Sequence, residues 1–388
     1  MASPPGFTRQ PPAEPWRARL ACFQRYTVAH PKLLDAKERL VAALHNSEPN
    51  SLVFVFGPTG VGKTTLRLKT EQILTEDLYE ELQEDRGRLA VVSVEAVASA
   101  SGGFSWRDHF KRLLEKMDEP LIDNKQDLQA NPVSMRNRFG PKSTLDDYRY
   151  ALEQALRFRR PAAVMIDEAQ HLAKIASGRQ LLDQLDVIKS MANRARTAHV
   201  LYGTYDLLSF RNLNGQLSRR SIDIHFPRYR AESSEDCKAF VGVLRSFAQQ
   251  IPLAEPPDLV KNWEFLYERT IGCVGLLKQW LARALSASLR KGQDKMTRTD
   301  LEDQALGISQ IGTILAEVTE GESRLTDSAE AATQLRTRLG LIRHSGNPGP
   351  SHEAPAQPAQ VRHTSHRPGQ RKPVRDIVGK QGAHAANL

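Results

Sequence analysis

The chain has 388 residues, enough for two or three domains, and its 26% charged and 40% hydrophobic composition is that of a globular protein. Its net charge of +9 is compatible with an anionic partner such as nucleic acid but does not establish one. The three cysteines, Cys22, Cys237 and Cys273, are too scattered for a disulfide framework or a zinc site. No apolar run reaches the roughly 18 residues that span a bilayer, and no hydrophobic signal segment opens the chain. We therefore expect a cytoplasmic protein without a membrane partner.

The first 49 residues form an N-terminal extension, in which 34–46 is predicted helical and the preceding "RYTVAHPKL" extended. From residue 50, apolar strands alternate with helical stretches, the pattern of a parallel sheet covered on both faces. Strands are predicted at 51–56, 89–96, 162–168, 199–205 and 222–226. After Pro227 only helical patterns follow, at 233–250, 258–270, 274–290 and 298–306. The sequence thus predicts an α/β core over 50–230 and a small helical lid domain over 231–310.

Two further segments end the chain. Residues 311–342 are predicted to be a helical extension. Residues 343–388 hold seven Lys/Arg against two Asp/Glu and are rich in Pro, Gln and His, which predicts a disordered basic tail. The tail is either a solubilising segment or cloning remnant, or a tether for DNA or a partner protein.

A phosphate-binding motif lies between the first predicted strand and the helix after it. "GPTGVGKT" matches G-x-x-x-x-G-K-[ST], in which glycines let backbone N–H groups face phosphate oxygens. We expect Lys63 to reach the β- and γ-phosphates of ATP and Thr64 to offer its hydroxyl to Mg²⁺. The predicted phosphate-binding residues are Gly57, Pro58, Thr59, Gly60, Val61, Gly62, Lys63, Thr64 and Thr65.

Two carboxylates follow the apolar strand in "AAVMIDEAQH". Asp167 is placed to hold the Mg²⁺ shell, and Glu168 to orient and deprotonate an attacking water. Glu168 is alternatively just the first exposed residue after a buried strand. One further strand separates the P-loop strand from this one in the sequence. This is the arrangement in which a strand is inserted between the two in the sheet, as in the additional-strand class of P-loop ATPases that includes the AAA+ proteins. A GTPase would carry an N-K-x-D type motif, and the sequence has none.

Further polar residues follow the order of AAA+ proteins. Thr204 ends the fourth predicted strand, where such proteins carry a sensor for the γ-phosphate or the water. Arg219 and Arg220 precede the fifth strand, and one of them is expected to reach a neighbouring subunit's nucleotide; otherwise both are solvated loop residues. Lys278 stands where an arginine contacting the γ-phosphate is frequent, which leaves its role open.

The extended segment ahead of the first strand lies where adenine is commonly sandwiched. Val28, His30 and Pro31 are the candidates for this contact. A structural role for His30 is an equally good interpretation.

Together, "RYTVAHP", "GPTGVGKTTL", "VMIDEAQHL", "YGTYDL" and "NGQLSRRSIDIHFPRY" resemble the TnsC/TniB group of transposition AAA+ ATPases over residues 20–310. The resemblance implies an ATP-dependent DNA-binding regulator that assembles as rings or helical filaments around duplex DNA. It implies as partners a target-selection protein of the TniQ type and a DDE transposase of the TnsB or TniA type. ATP turnover would control disassembly and target choice.

Basic side chains spaced for phosphate contacts are the candidates for DNA binding. They are Arg107, Lys111, Arg112, Lys125, Arg136, Arg138 and Lys142. No motif reads bases, so binding is expected to be weakly sequence-specific and sensitive to salt. A solvated helix face is the alternative explanation of the same charges.

Two other functions stay open. A replication initiator or helicase loader would usually carry a winged-helix or helix-turn-helix module after the lid, and the tail from Arg343 is too polar for one. A secretion-associated or signalling ATP-binding scaffold would want a transmembrane or peptidoglycan-binding segment, which the sequence lacks.

Overall fold

The computed structural model describes residues 15–46, 48, 50–98, 103–124, 143–173, 179–211, 221–255, 257–326 and 328–341. The described residues fall into two compact units, one that ends at Thr326 and one after it. None of the helices in this part of the chain combines the length and apolar character that a bilayer crossing requires.

Five strands form the sheet: β1 (Leu52–Phe56), β2 (Val91–Glu95), β3 (Ala163–Asp167), β4 (Ala198–Gly203) and β5 (Ser221–His225). Helices before and between them are α1 (Trp16–Arg25), α2 (Pro31–Asn46), α3 (Lys63–Asp77), α4 (Tyr79–Glu84), α5 (Trp106–Lys116), α6 (Leu145–Arg159), α7 (Arg179–Ala195) and α8 (Leu208–Arg211). After the sheet come α9 (Ser234–Gln250), α10 (Trp263–Thr270), α11 (Val274–Arg290), α12 (Arg298–Asp303) and α13 (Ile308–Ser323). The second unit contains α14 (Ala329–Arg338).

All strand pairs are parallel, and the order across the sheet is β2-β3-β4-β1-β5. The insertion of a strand between the P-loop strand and the Asp-Glu strand is therefore confirmed, and the inserted strand is β4. Each predicted strand agrees with the observed one to within two residues at either end. The uninterrupted apolar runs arise because β1, β3 and β4 are buried along their whole length.

Alternate residues of β1 face opposite sides of the sheet. Phe54 belongs to a core cluster completed by α5, α6 and α7, whereas Val53 and Val55 belong to one completed by α2 and α3. A third cluster lies in the helical domain around Phe240, Trp280 and their neighbours. The parallel five-stranded sheet flanked by helices and followed by a helical domain is thus confirmed.

The N-terminal extension differs from the expectation in two places. Helix α2 begins at Pro31, not residue 34, because proline needs no hydrogen-bonded N–H in the first turn of a helix. Helix α1 was not expected at all, and it packs on α11: Phe23 is buried, and the Arg290 guanidinium lies 5.3 Å from the Trp16 ring centroid. The extended segment is therefore limited to 26–30.

A buried ion pair fixes α13 to the chain that leaves β5. Arg228 Nε and Nη2 donate to the two carboxylate oxygens of Glu322 at 3.1 and 3.2 Å. Arg230 Nη2 adds a third bond, at 2.9 Å. Arg228 also donates to the Tyr267 hydroxyl and the Ile271 carbonyl oxygen, so one guanidinium joins the end of the sheet, α10 and α13. Both partner side chains are largely buried, at 10% and 8% exposure.

We predict that Glu322→Ala destabilises the protein by about 3 kcal/mol, because it leaves the Arg228 guanidinium buried without its counter-ion. Chemical denaturation followed by circular dichroism measures the loss. Glu320→Ala is the matched control, since it removes an exposed carboxylate on the same helix paired with Arg324 and should cost no more than about 0.5 kcal/mol. Equal losses in the two variants would contradict the prediction.

Candidate active site

The loop between β1 and α3 has the curl that phosphate binding requires, and its glycines are sterically obligatory. Gly60 and Gly62 have φ of +73° and +120°, a region that side chains disfavour. A Cβ on Gly57 would lie 2.2 Å from the carbonyl oxygen of Phe226. The loop can therefore lie directly against the chain that leaves β5.

Lys63 begins α3 and is buried. Its Nζ donates to the carbonyl oxygens of Gly57 and Pro58 at 3.0 and 2.9 Å. Burial lowers the pKa of the Lys63 ammonium, and the carboxylates of Glu168 and Asp167 act in the opposite direction. A desolvated ammonium at a helix N-terminus favours an anionic ligand.

The donor set beside Lys63 fits Mg²⁺. Thr64 Oγ1 donates to Asp167 Oδ2 at 3.0 Å, so a hydroxyl and a carboxylate oxygen, which are hard ligands, stand together. Arg67 Nε lies 3.2 Å from the same Oδ2 and places a positive charge on this carboxylate. Arg67 also donates to Ser93 Oγ at 2.6 Å and is paired with Glu71. Sequence reasoning missed Arg67, because two of its partners, Asp167 and Ser93, belong to β3 and β2.

Glu168 follows β3 and has φ of +51°, which is uncommon for a residue with a side chain. Its N–H donates to Asp167 Oδ1 at 3.0 Å. Such left-handed residues cluster at functional sites. Asp167 contacts Thr64, whereas Glu168 lines a cleft between the phosphate loop and the helical domain.

Thr204 follows β4, and its side chain lines the same cleft as Lys63 and Glu168. Its hydroxyl donates to Asp206 at 3.2 Å, and its N–H donates to Gln170 Oε1 at 3.3 Å. The Gln170 amide in turn donates to the Glu168 carboxylate. Gln170, like Arg67, was not among the predicted site residues.

The helical domain closes this cleft, whose volume is about 780 Å³. The N–H of Leu276 donates to the Gly60 carbonyl oxygen at 3.0 Å, and a Cβ on Gly275 would lie 2.4 Å from that oxygen. Lys278 lines the cleft, and burial lowers the pKa of its ammonium. Lining residues that the sequence did not suggest are Leu20 and Gln24 of α1 and Arg283 of α11.

Two of the residues predicted to contact adenine, Val28 and His30, line a narrow pocket of about 30 Å³. His30 Nδ1 lies 2.9 Å from the Tyr229 hydroxyl oxygen. Burial, assisted by Lys32, lowers the pKa of His30 to about 4, so the imidazole is neutral at pH 7. Pro31 is the first residue of α2 and is not among the residues that line this pocket within the described part of the chain.

The remaining candidates divide into two groups. Outside the described residues lie Arg219, Arg220, Lys125, Arg136, Arg138 and Lys142. The three on α5 have partners: Lys111 Nζ is 2.8 Å from Asp123, Arg112 Nε is 2.6 Å from Asp108, and the Arg107 guanidinium lies 5.5 Å from the Tyr148 ring centroid.

A family model described as "AAA domain" matches residues 46–210. A search of curated proteins finds no match to the chain.

Solved structures that are similar to this chain include proteins from Aeropyrum pernix and Pyrobaculum aerophilum. The Aeropyrum pernix ORC2 protein (ADPNP-ADP complexes) is 15% identical, with 74% of this chain and 71% of that chain covered and a TM-score of 0.47. The Aeropyrum pernix ORC1 protein in complex with DNA is 18% identical, with 75% and 68% covered and a TM-score of 0.48. Cdc6p from Pyrobaculum aerophilum is 13% identical, with 73% and 69% covered and a TM-score of 0.45.

The AAA domain match covers the P-loop, the Asp-Glu strand and Thr204. Together with the strand order, it confirms the predicted AAA+ fold class and the assignment of the chain as an ATPase.

We predict that Gly275→Ala weakens ATP binding, because its Cβ would push α11 away from the Gly60 carbonyl oxygen. Overpacking of this kind costs about 1–3 kcal/mol. Titration with a fluorescent ATP analogue measures the affinity. In the control Gly242→Ala, the added Cβ on α9 meets no atom within 4 Å, so affinity should not change. Wild-type affinity in Gly275→Ala would show that this contact does not shape the site.

Proposed function

We propose that this AAA+ ATPase is a DNA-binding regulator of transposition that assembles on duplex DNA, with ATP hydrolysis controlling disassembly. The observation that carries the proposal is that three of the motifs resembling the TnsC/TniB group, the phosphate loop, the Asp-Glu strand and the Thr204 strand, contribute residues to one cleft. Lys63, Glu168 and Thr204 line it, and the helical domain adds Lys278. The same resemblance supports a TniQ-type target selector and a DDE transposase as partners.

In the proposed reaction the chain's residues have separate tasks. Lys63 and the loop N–H groups hold the β- and γ-phosphates, and Glu168 accepts a proton from the attacking water. Thr204 and Lys278 face the terminal phosphate. Thr64 and Asp167 would hold Mg²⁺, which neutralises phosphate charge when bound. Arg219 or Arg220 would complete the site of a neighbouring subunit.

DNA contact is proposed on the net charge of +9 and on the resemblance. The α5 cations support it less than the sequence suggested, because Lys111 and Arg112 already have carboxylate partners. Phosphate contacts by the remaining basic residues would give weak sequence preference and strong salt dependence.

We predict that Glu168→Gln lowers kcat for ATP hydrolysis by about 10²- to 10⁴-fold, because the amide cannot accept the proton. ATP binding should persist, so complexes on duplex DNA should outlive those of the wild type. Steady-state ATP hydrolysis measures kcat. Negative-stain electron microscopy shows the complexes on duplex DNA, and a filter-binding chase with ATP measures their lifetime. Glu80→Gln, an exposed carboxylate on α4, is the control and should behave as the wild type.

Three outcomes would overturn parts of this proposal. If the Glu168→Gln complexes had the same lifetime as those of the wild type, ATP hydrolysis would not control their disassembly. A footprint confined to one DNA sequence would favour a replication initiator. Failure to bind duplex DNA at low salt with ATP present would favour a signalling or secretion-associated scaffold.

A further inference from the structure

Gln170 joins two parts of the site that come from different strands. It lies in the short 3₁₀ helix Ala169–Ala173 that follows β3. Gln170 itself is 9% exposed. Its Nε2 donates to Glu168 Oε2, and its Oε1 accepts from the N–H of Thr204 at 3.3 Å. A single amide therefore bridges the proposed general base and the proposed sensor.

The chemistry of the partners fixes the orientation of this amide. The Thr204 backbone N–H can only donate a hydrogen bond, so the amide oxygen must face Thr204. The NH₂ group then faces Glu168, whose carboxylate oxygen Oε2 accepts the hydrogen bond. Reversing the amide would break both bonds at once.

The surroundings hold the Gln170 side chain in this bridge. A Cβ on Gly203 would lie 2.6 Å from Gln170 Oε1, so the glycine that ends β4 makes room for the amide. The neighbours Ala169 and Leu172 are both buried in the core, which anchors the 3₁₀ helix. A buried polar bridge with both ends satisfied is rigid.

We propose that Gln170 is a positioning residue that sets the Glu168 carboxylate according to the position of Thr204. A shift of Thr204 towards or away from a bound phosphoryl group moves its N–H, and the amide transmits that shift to Glu168. Hydrolysis is thereby coupled to recognition at the end of β4. The proposal rests on the role of Glu168 proposed above.

Three variants test this coupling in the full-length chain. Gln170→Met keeps the side-chain length and removes both hydrogen bonds. Gln170→Glu keeps an acceptor for the Thr204 N–H but replaces the donor to Glu168 with a negative charge. Gly203→Ala leaves Gln170 intact and adds a Cβ 2.6 Å from its oxygen and 2.9 Å from the Leu207 side chain, so both must shift. Steady-state ATP hydrolysis gives kcat and KM, and equilibrium titration gives nucleotide affinity.

We expect kcat to fall about 10- to 100-fold in Gln170→Met and at least as far in Gln170→Glu, because displacement of a reacting group by about 1 Å can cost two orders of magnitude. Gly203→Ala should also lower kcat. Nucleotide affinity should change less than about threefold in all three. The control is Gln72→Met, which breaks an exposed Gln72–Glu76 hydrogen bond on α3 and should leave kcat unchanged.

Wild-type kcat in Gln170→Met would overturn the proposal. So would Gln170→Glu with wild-type kcat, since the bond to Glu168 would then have no role. Equal losses of kcat and nucleotide affinity would show a merely structural residue. Failure of the Glu168 role itself is distinguishable, because Glu168→Gln would then hydrolyse ATP normally whatever the Gln170 variants do.

Discussion

The parallel register of β3, β4 and β1 is the constraint on which the site depends. In a parallel sheet all carboxyl ends lie at one edge, so residues that follow different strands meet there. Phe56 is in register with Gly203, and Ile166 with Leu201. The phosphate loop, Asp167 with Glu168, and Thr204 are thereby brought to one edge although about 100 residues or more separate the loop from the other two. Glu168, Gln170 and Thr204 can then be linked by hydrogen bonds.

Whether the sequence could predict a feature of the fold or the site depends on how far apart in the chain the interacting residues lie. Strands β1, β3 and β4 were predictable because a strand buried on both faces is largely an apolar run, and the loop because its glycines are a local requirement. The insertion of a strand between β1 and β3 followed from the order of the motifs. In each case a few consecutive residues contain the physical cause.

The contacts that sequence reasoning missed lack such a local cause. The Gln170 bridge depends on the positive φ of Glu168 and on the missing side chain of Gly203. Helix α1 has no side-chain hydrogen bond at its N-cap, so no capping residue marks its start; it packs on α11. The pairing of Arg228 with Glu322 joins residues 94 positions apart. The roles of individual site residues and the domain boundaries stay predictions.

The burial of Lys63 indicates what the cleft is built to bind. An ammonium withdrawn from water is poorly compensated by two carbonyl dipoles, and burial accordingly lowers its pKa. The carboxylates of Asp167 and Glu168 offset part of the cost of burying the ammonium. However, Asp167 also accepts hydrogen bonds from Arg67 and Thr64, and Glu168 accepts one from Gln170. A phosphate held by the loop N–H groups would supply the missing negative charge next to Lys63. The anion is therefore favoured electrostatically at the point where the β- and γ-phosphates of ATP would lie, and Glu168 lines the same cleft.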